Sequence, residues 1–203
     1  GSEMCIRDRT TTEPVFEKLS YRQRPDGVLA VAPIPAWRLD AWPATVDGLY
    51  LVASAIEKPG NLGAILRSAD AASVDGLIVC DTATDVFNPN VVRASTGTLF
   101  TVPTVVASRE DALAWLRGHR IAILATTPDA KVAYFDTDLR RAVAVVLGSE
   151  SDGLDRLWLR EADVQVRIPM QGVADSLNVS VTASVLLFEA QRQRMASCES
   201  APD

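Results

Sequence analysis

Cysteine, histidine and aromatic residues are scarce in this 203-residue sequence, and each shortage removes a class of answer. The cysteines are Cys5, Cys80 and Cys198, odd in number and far apart, so neither a disulfide framework nor a Cys-x-x-Cys metal knuckle is written in the chain. The single histidine, His119, excludes a zinc site of histidine type. It also leaves a Ser-His-Asp triad hanging on one residue in "RGHR", which reads as an ordinary surface position. No apolar run approaches the ~18 residues of a membrane span, and no charged-then-apolar leader opens the chain. A soluble, reduced, cytoplasmic protein is expected. Positive charge is also short, with 20 Lys and Arg against 26 Asp and Glu, a net charge of −6. Nucleic-acid binders usually carry a basic surplus, because neutralised phosphates supply most of their affinity. Composition alone therefore favours a small-molecule enzyme, and an RNA partner requires locally concentrated positive charge. No G-x-G-x-x-G follows the first strand pattern and no Walker A motif exists. "GSESDG" fails as a nucleophile elbow because Glu150 holds the middle position.

What is present is a core, with 48% apolar residues. From Leu49 onward, strand and helix signals alternate. The strand patterns cover 49–56, 76–81, 101–107, 121–127, 142–149 and 164–169, several of them near-continuous apolar runs, as strands buried on both faces are. Helical patterns cover 61–73, 108–118, 154–162 and 176–195, the last with Leu177, Val181, Val185 and Phe188 as a core-facing stripe. This alternation predicts an α/β fold, a mostly parallel sheet with flanking helices. Residues 1–9 read as a tag or artefact leader, and residues 10–43, Pro-, Trp- and Arg-rich, as a linker with one short strand at 27–34. The domain proper is expected over 44–196, with a disordered tail at 197–203.

Three segments break the pattern of plain connections. In "EKPGNLGAILRSADA" (57–71), Asn61 suits a helix N-cap, and Arg67 is the cation expected to reach a cleft at the strand ends. Alternatively, this is a helix with a glycine-rich entry and a surface arginine. In "AVVLGSESDGL" (144–154), Gly148 ends a buried strand where open α/β sheets bind ligands and would let one approach the backbone. Glu150 then sits at the ligand edge, or is simply a first-turn helix acid. In "VRIPMQGVADSLNVSVTAS" (166–184), Ser176 suits an N-cap, whereas Asn178 inside the following turn is poorly spent on helix formation.

In this order and with these gaps, the three segments closely resemble the motifs of the SpoU (TrmH-like) family of RNA ribose methyltransferases, in the SPOUT superfamily. The resemblance covers about residues 46–194, with "FNPNVVRASTGTLFTVP" (87–103) as a further match. It implies an α/β domain with a carboxyl-terminal deep trefoil knot and S-adenosylmethionine as cofactor, without metal. Carried over position by position, cofactor contacts fall on Gly148, Ile168 and Leu177, with Leu147, Met170 and Thr126 beside them. Catalytic positions fall on Asn61, Arg67, Glu150, Ser176 and Asn178. Arg67, Lys58 and Arg93, with Arg22 and Arg24 from the leader, would meet RNA.

The resemblance further implies a homodimer with RNA across the interface. Residues 10–43 become the remnant of a missing amino-terminal RNA-binding domain. The implied reaction is methyl transfer to a ribose 2′-hydroxyl, with ribosomal RNA placed ahead of transfer RNA and an antibiotic-resistance enzyme as a subcase. A non-catalytic cofactor-binding RNA-binding protein is the distant alternative.

Overall fold

The computed structural model describes residues 8–21, 27–81 and 84–199. Arg22 and Arg24 lie outside them. Contacts divide the chain into residues 1–34 and 35–203. In the first part, helix α1 (Glu13–Leu19) buries no side chain. The apolar run at 27–34 forms no strand, contrary to the sequence expectation, and Val28 and Val31 are 85% and 93% exposed. Extended chain without a hydrogen-bonded neighbour gains nothing from β geometry.

The second part alternates strands and helices. These are β1 (Leu49–Ser54), α2 (Pro59–Ala71), β2 (Gly76–Cys80), α3 (Pro89–Ser95), β3 (Thr104–Ala107) and α4 (Arg109–Gly118). They continue with β4 (Ala122–Thr126), β5 (Val132–Ala133), β6 (Val143–Leu147), α5 (Arg156–Glu161), β7 (Val164–Arg167) and α6 (Val179–Glu199). The seven strands form one sheet in the order β3-β2-β1-β6-β4-β7-β5, and every pairing in it is parallel.

Side-chain alternation assigns the two faces. Leu49, Leu51 and Ala53 of β1 join the cluster covered by α2, α3 and α6, through residues such as Leu66, Val91 and Leu187. Tyr50 and Val52 join the opposite cluster with Trp115 of α4 and Trp158 of α5. Both faces are dry, so the strands read as continuous apolar runs. Trp158 is fully buried, and its indole Nε1 donates to Ser54 Oγ at 3.2 Å.

Helix α6 corrects a sequence reading. Its core face is Val179, Ala183, Leu186, Leu187 and Ala190. The stripe expected to face the core points outward instead, with Val181 and Phe188 46% and 51% exposed. The helix also continues to Glu199, beyond the boundary placed at 196. Among the described residues, no helix is long and apolar enough to cross a membrane.

Candidate active site

Strands β6, β4 and β7 lie side by side and parallel, so Leu147, Thr126 and Arg167 end at one edge of the sheet. The chain segments that follow surround a cleft of about 640 Å³, within the roughly 300–1,000 Å³ usual for small-molecule sites. Thr126, Leu147, Gly148, Ile168, Met170 and Leu177 all line it, together with Glu150, Ser176 and Asn178. Thr126 Oγ1 donates to Val146 O at 2.9 Å, fastening two of the strand ends together.

The turn after β6 gives Gly148 a reason to be glycine besides the path for a ligand expected from the sequence. A Cβ at Gly148 would overlap the backbone of Gly153 and Leu154. Ser149 and Gly153 exchange backbone hydrogen bonds at 3.0 and 3.2 Å, and Gly153 turns with φ +68°. The missing side chain is therefore needed to close this loop on itself. Helix α5 starts beyond it, capped by Asp155, whose carboxylate accepts from the backbone N–H groups of Leu157 and Trp158. Glu150 is thus a loop residue and no first-turn helix acid.

Helix α2 is entered at Lys58, with Pro59 in its first turn, so Asn61 lies inside the helix and does not cap it. Of the two glycines there, Gly63 is the constrained one: a Cβ would sit 2.8 Å from the carbonyl carbon of Ala94, so its absence lets α3 pack onto α2. Lys58 Nζ pairs with Glu150, and this contact raises the lysine pKa. Glu150 therefore holds Lys58 and makes no ion pair with Arg67.

At the other side of the cleft, α6 begins at Val179, later than Ser176. Asn178 does the capping, with Oδ1 accepting from Ser180 N–H at 2.9 Å, so its side chain is well spent. Its Nδ2 donates to Asn61 Oδ1 at 3.2 Å. The Ser176 hydroxyl donates to Asp175 Oδ1 at 3.1 Å.

The structure thus unites Lys58 with Glu150 and Asn61 with Asn178, across two loops and two helices. It does not bring Arg67 or Arg93 to the cleft lining. Arg67 is exposed on α2 and Arg93 in the last turn of α3. Neither side chain has a partner among the described residues.

Arg167, Asp129, Asp152 and Asp175 also line the cleft, and sequence reading passed over them. For Arg167 a signal existed: in a strand it must face away from its buried neighbour Val166. This charge set suits S-adenosylmethionine, whose sulfonium and ammonium face carboxylates and whose carboxylate suits a guanidinium. Leu147, Ile168, Met170 and Leu177 add apolar surface for an adenine. Among the described residues, no His, Cys, Asp or Glu group could hold a metal ion.

Comparison with known proteins points the same way. The model of the SpoU rRNA Methylase family matches residues 48–188. The chain is 38% identical over 179 residues to the 23S rRNA (uridine(2479)-2′-O)-methyltransferase of Streptomyces viridochromogenes, covering 85% of this chain and 62% of that protein's length. It is 37% identical over 196 residues to the 23S rRNA (guanosine-2′-O-)-methyltransferase RlmB of Xylella fastidiosa, covering 93% of this chain and 79% of that one. Among solved structures, the SpoU methyltransferase AviRb of Streptomyces viridochromogenes in complex with AdoMet superposes with a TM-score of 0.76 at 38% identity, covering 80% of this chain and 67% of AviRb. The chain belongs to the SpoU rRNA methylase family.

Proposed function

We propose that the protein transfers the methyl group of S-adenosylmethionine to a ribose 2′-hydroxyl, with ribosomal RNA as its substrate. The observation that carries this reading is the meeting of two residue sets at one sheet edge. A cleft with both apolar and charged walls, lined by Gly148, Ile168 and Leu177, shares Glu150, Ser176 and Asn178 with a polar rim that reaches Asn61 and Lys58. Both curated relatives described above are named for 2′-O-methylation of 23S rRNA.

When bound, the cofactor supplies an electrophilic methyl on a sulfonium. Leu147, Gly148, Ile168, Met170, Leu177 and Thr126 would hold its adenine part, and Arg167 would pair with its carboxylate. A 2′-hydroxyl is a weak nucleophile, so the protein's work is chiefly orientation. Asn61 and Asn178 fix geometry by hydrogen bonding, and Ser176 stands at the mouth of the cleft. Arg67 presents a planar guanidinium and grips a phosphate beside the reacting ribose. Lys58 and Arg93 extend that grip along the RNA, with Glu150 holding Lys58 in place.

The exposed stripe of Leu177, Val181 and Phe188 supports a homodimer in which α6 meets a second copy. We read the carboxyl-terminal segment as a deep trefoil knot. Its support is the family relationship, together with the approach of residues 168–178 to the loops after β4 and β6 around one cleft. A ribosomal RNA substrate puts this work in the cytoplasm.

Incubation with tritiated S-adenosylmethionine and ribosomal RNA tests the reading. Label confined to one ribose, blocking alkaline cleavage there, is the expected result. Cofactor and RNA binding without transfer would favour a non-catalytic RNA-binding role, and label confined to transfer RNA would overturn the substrate class.

A further inference from the structure

Two asparagine side chains link α2 to the start of α6, and the direction of their hydrogen bonds is forced. A backbone N–H can only donate, so the Asn178 atom 2.9 Å from Ser180 N must be its amide oxygen. The Ser180 hydroxyl donates to the same oxygen at 2.7 Å. The remaining Asn178 atom is then the NH2 group, which donates to Asn61 across 3.2 Å. The Asn61 atom it meets must be oxygen, and the Asn61 NH2 takes no part in that pair. That Nδ2 is buried and has no partner among the described residues. Orphaned buried donors carry a cost of ~1–3 kcal/mol unless a ligand completes them.

We propose that Ser180 is a positioning residue that sets the polarity of the Asn178–Asn61 amide pair, so that Asn61 Nδ2 stands as a fixed donor to a backbone oxygen of the RNA nucleotide undergoing methylation. The inference rests on the methyltransferase reading above and adds a direction to it. RNA, and not the cofactor, supplies the acceptor, because Asn178 lines the cofactor cleft and Asn61 does not. Ser180 is itself anchored: Ser184 Oγ donates to its carbonyl at 2.9 Å, and Ser184 also touches Ser68 of α2 at 2.7 Å. The two donors that set the polarity, the Ser180 N–H and hydroxyl, both belong to the first turn of α6.

Asn61→Asp keeps the shape and the oxygen that receives Asn178 but replaces the outward donor by a second oxygen. The expected result is a loss of turnover on RNA of about a hundredfold, as for removal of one preorganised donor. Affinity for S-adenosylhomocysteine, measured by calorimetry, should stay within about twofold. Ser180→Ala deletes one of the two donors that orient Asn178 and should raise KM for RNA roughly fivefold. Ser180→Thr, which keeps the hydroxyl, should restore it. Unfolding midpoints of all three variants separate these effects from misfolding. Near-normal turnover of Asn61→Asp, no difference between the Ala and Thr variants at Ser180, or an equal loss of S-adenosylhomocysteine affinity would each overturn the proposal. Should the wild-type protein transfer no methyl group, the methyltransferase reading fails by itself. The polarity is then judged by RNA affinity of the S-adenosylhomocysteine complex, which Asn61→Asp must still weaken.

Discussion

Arg67 is the residue on which the proposed chemistry turns most sharply. Exposed on α2, with no side-chain partner among the described residues, it is free to take a phosphate. Arg67→Ala should cut methyl transfer at least about a hundredfold, on the order of 3 kcal/mol in the barrier, with cofactor affinity unchanged because Arg67 does not line the cleft. Arg67→Lys should recover little, since a point charge cannot replace a guanidinium fork. Normal labelling of RNA by the alanine variant would remove Arg67 from the site. Gly148 leads to a different expectation. Even alanine there would collide with the Gly153 backbone, so Gly148→Ala should destabilise the fold by about 1–3 kcal/mol, seen as a lower unfolding midpoint, as well as weaken cofactor binding. A variant that loses binding with an unchanged midpoint would restore the ligand-path explanation. Residue identities around the cleft were legible because motif spacing is a property of sequence. Their local roles were not: whether Asn61 or Lys58 caps α2, and whether Gly148 faces a ligand or a loop, depends on backbone brought from elsewhere in the chain.

Elements were read correctly where the pattern was long and wrongly where context decides. Six strand patterns mark β1, β2, β3, β4, β6 and β7, with ends trimmed. β5, of two residues, was too short to leave a period. α3 was missed because "NPN" reads as a turn, yet Asn88 accepts from Asn90 N–H as a cap and Pro89 suits the first helical turn. In α6, apolar residues occupy two faces, and periodicity alone could not say which one enters the core. That ambiguity yields a prediction. The outward residues Val181 and Phe188 should lie in a subunit interface, so replacing both with aspartate should give monomers by sedimentation while far-ultraviolet dichroism is retained. A wild-type protein that sediments as a monomer at micromolar concentration would refute the dimer and leave the stripe unexplained.

At the scale of the whole molecule, the net charge of −6 and an RNA substrate are reconciled if only a few cations touch phosphate. With Lys58, Arg67 and Arg93 as contacts, the logarithm of RNA affinity should fall with the logarithm of salt at a slope of about −2. A slope near zero would exclude phosphate binding by this group, and a much steeper one would demand further basic contacts. Fold class was legible in the alternation of segments, but strand order was not, because parallel pairing leaves no local mark. That order governs how the chain acquires its structure in time. Leu49 pairs with Val143 in the middle of the sheet, and β7 adds beside β4 only afterwards. The early strands emerge first during synthesis and must keep an apolar edge uncovered until the late strands exist. Pairings this distant along the chain make for slow folding, with intermediates exposed to aggregation. The strand order that gathers three loop ends around one cleft thus also postpones that cleft until β7 and the start of α6 have been made.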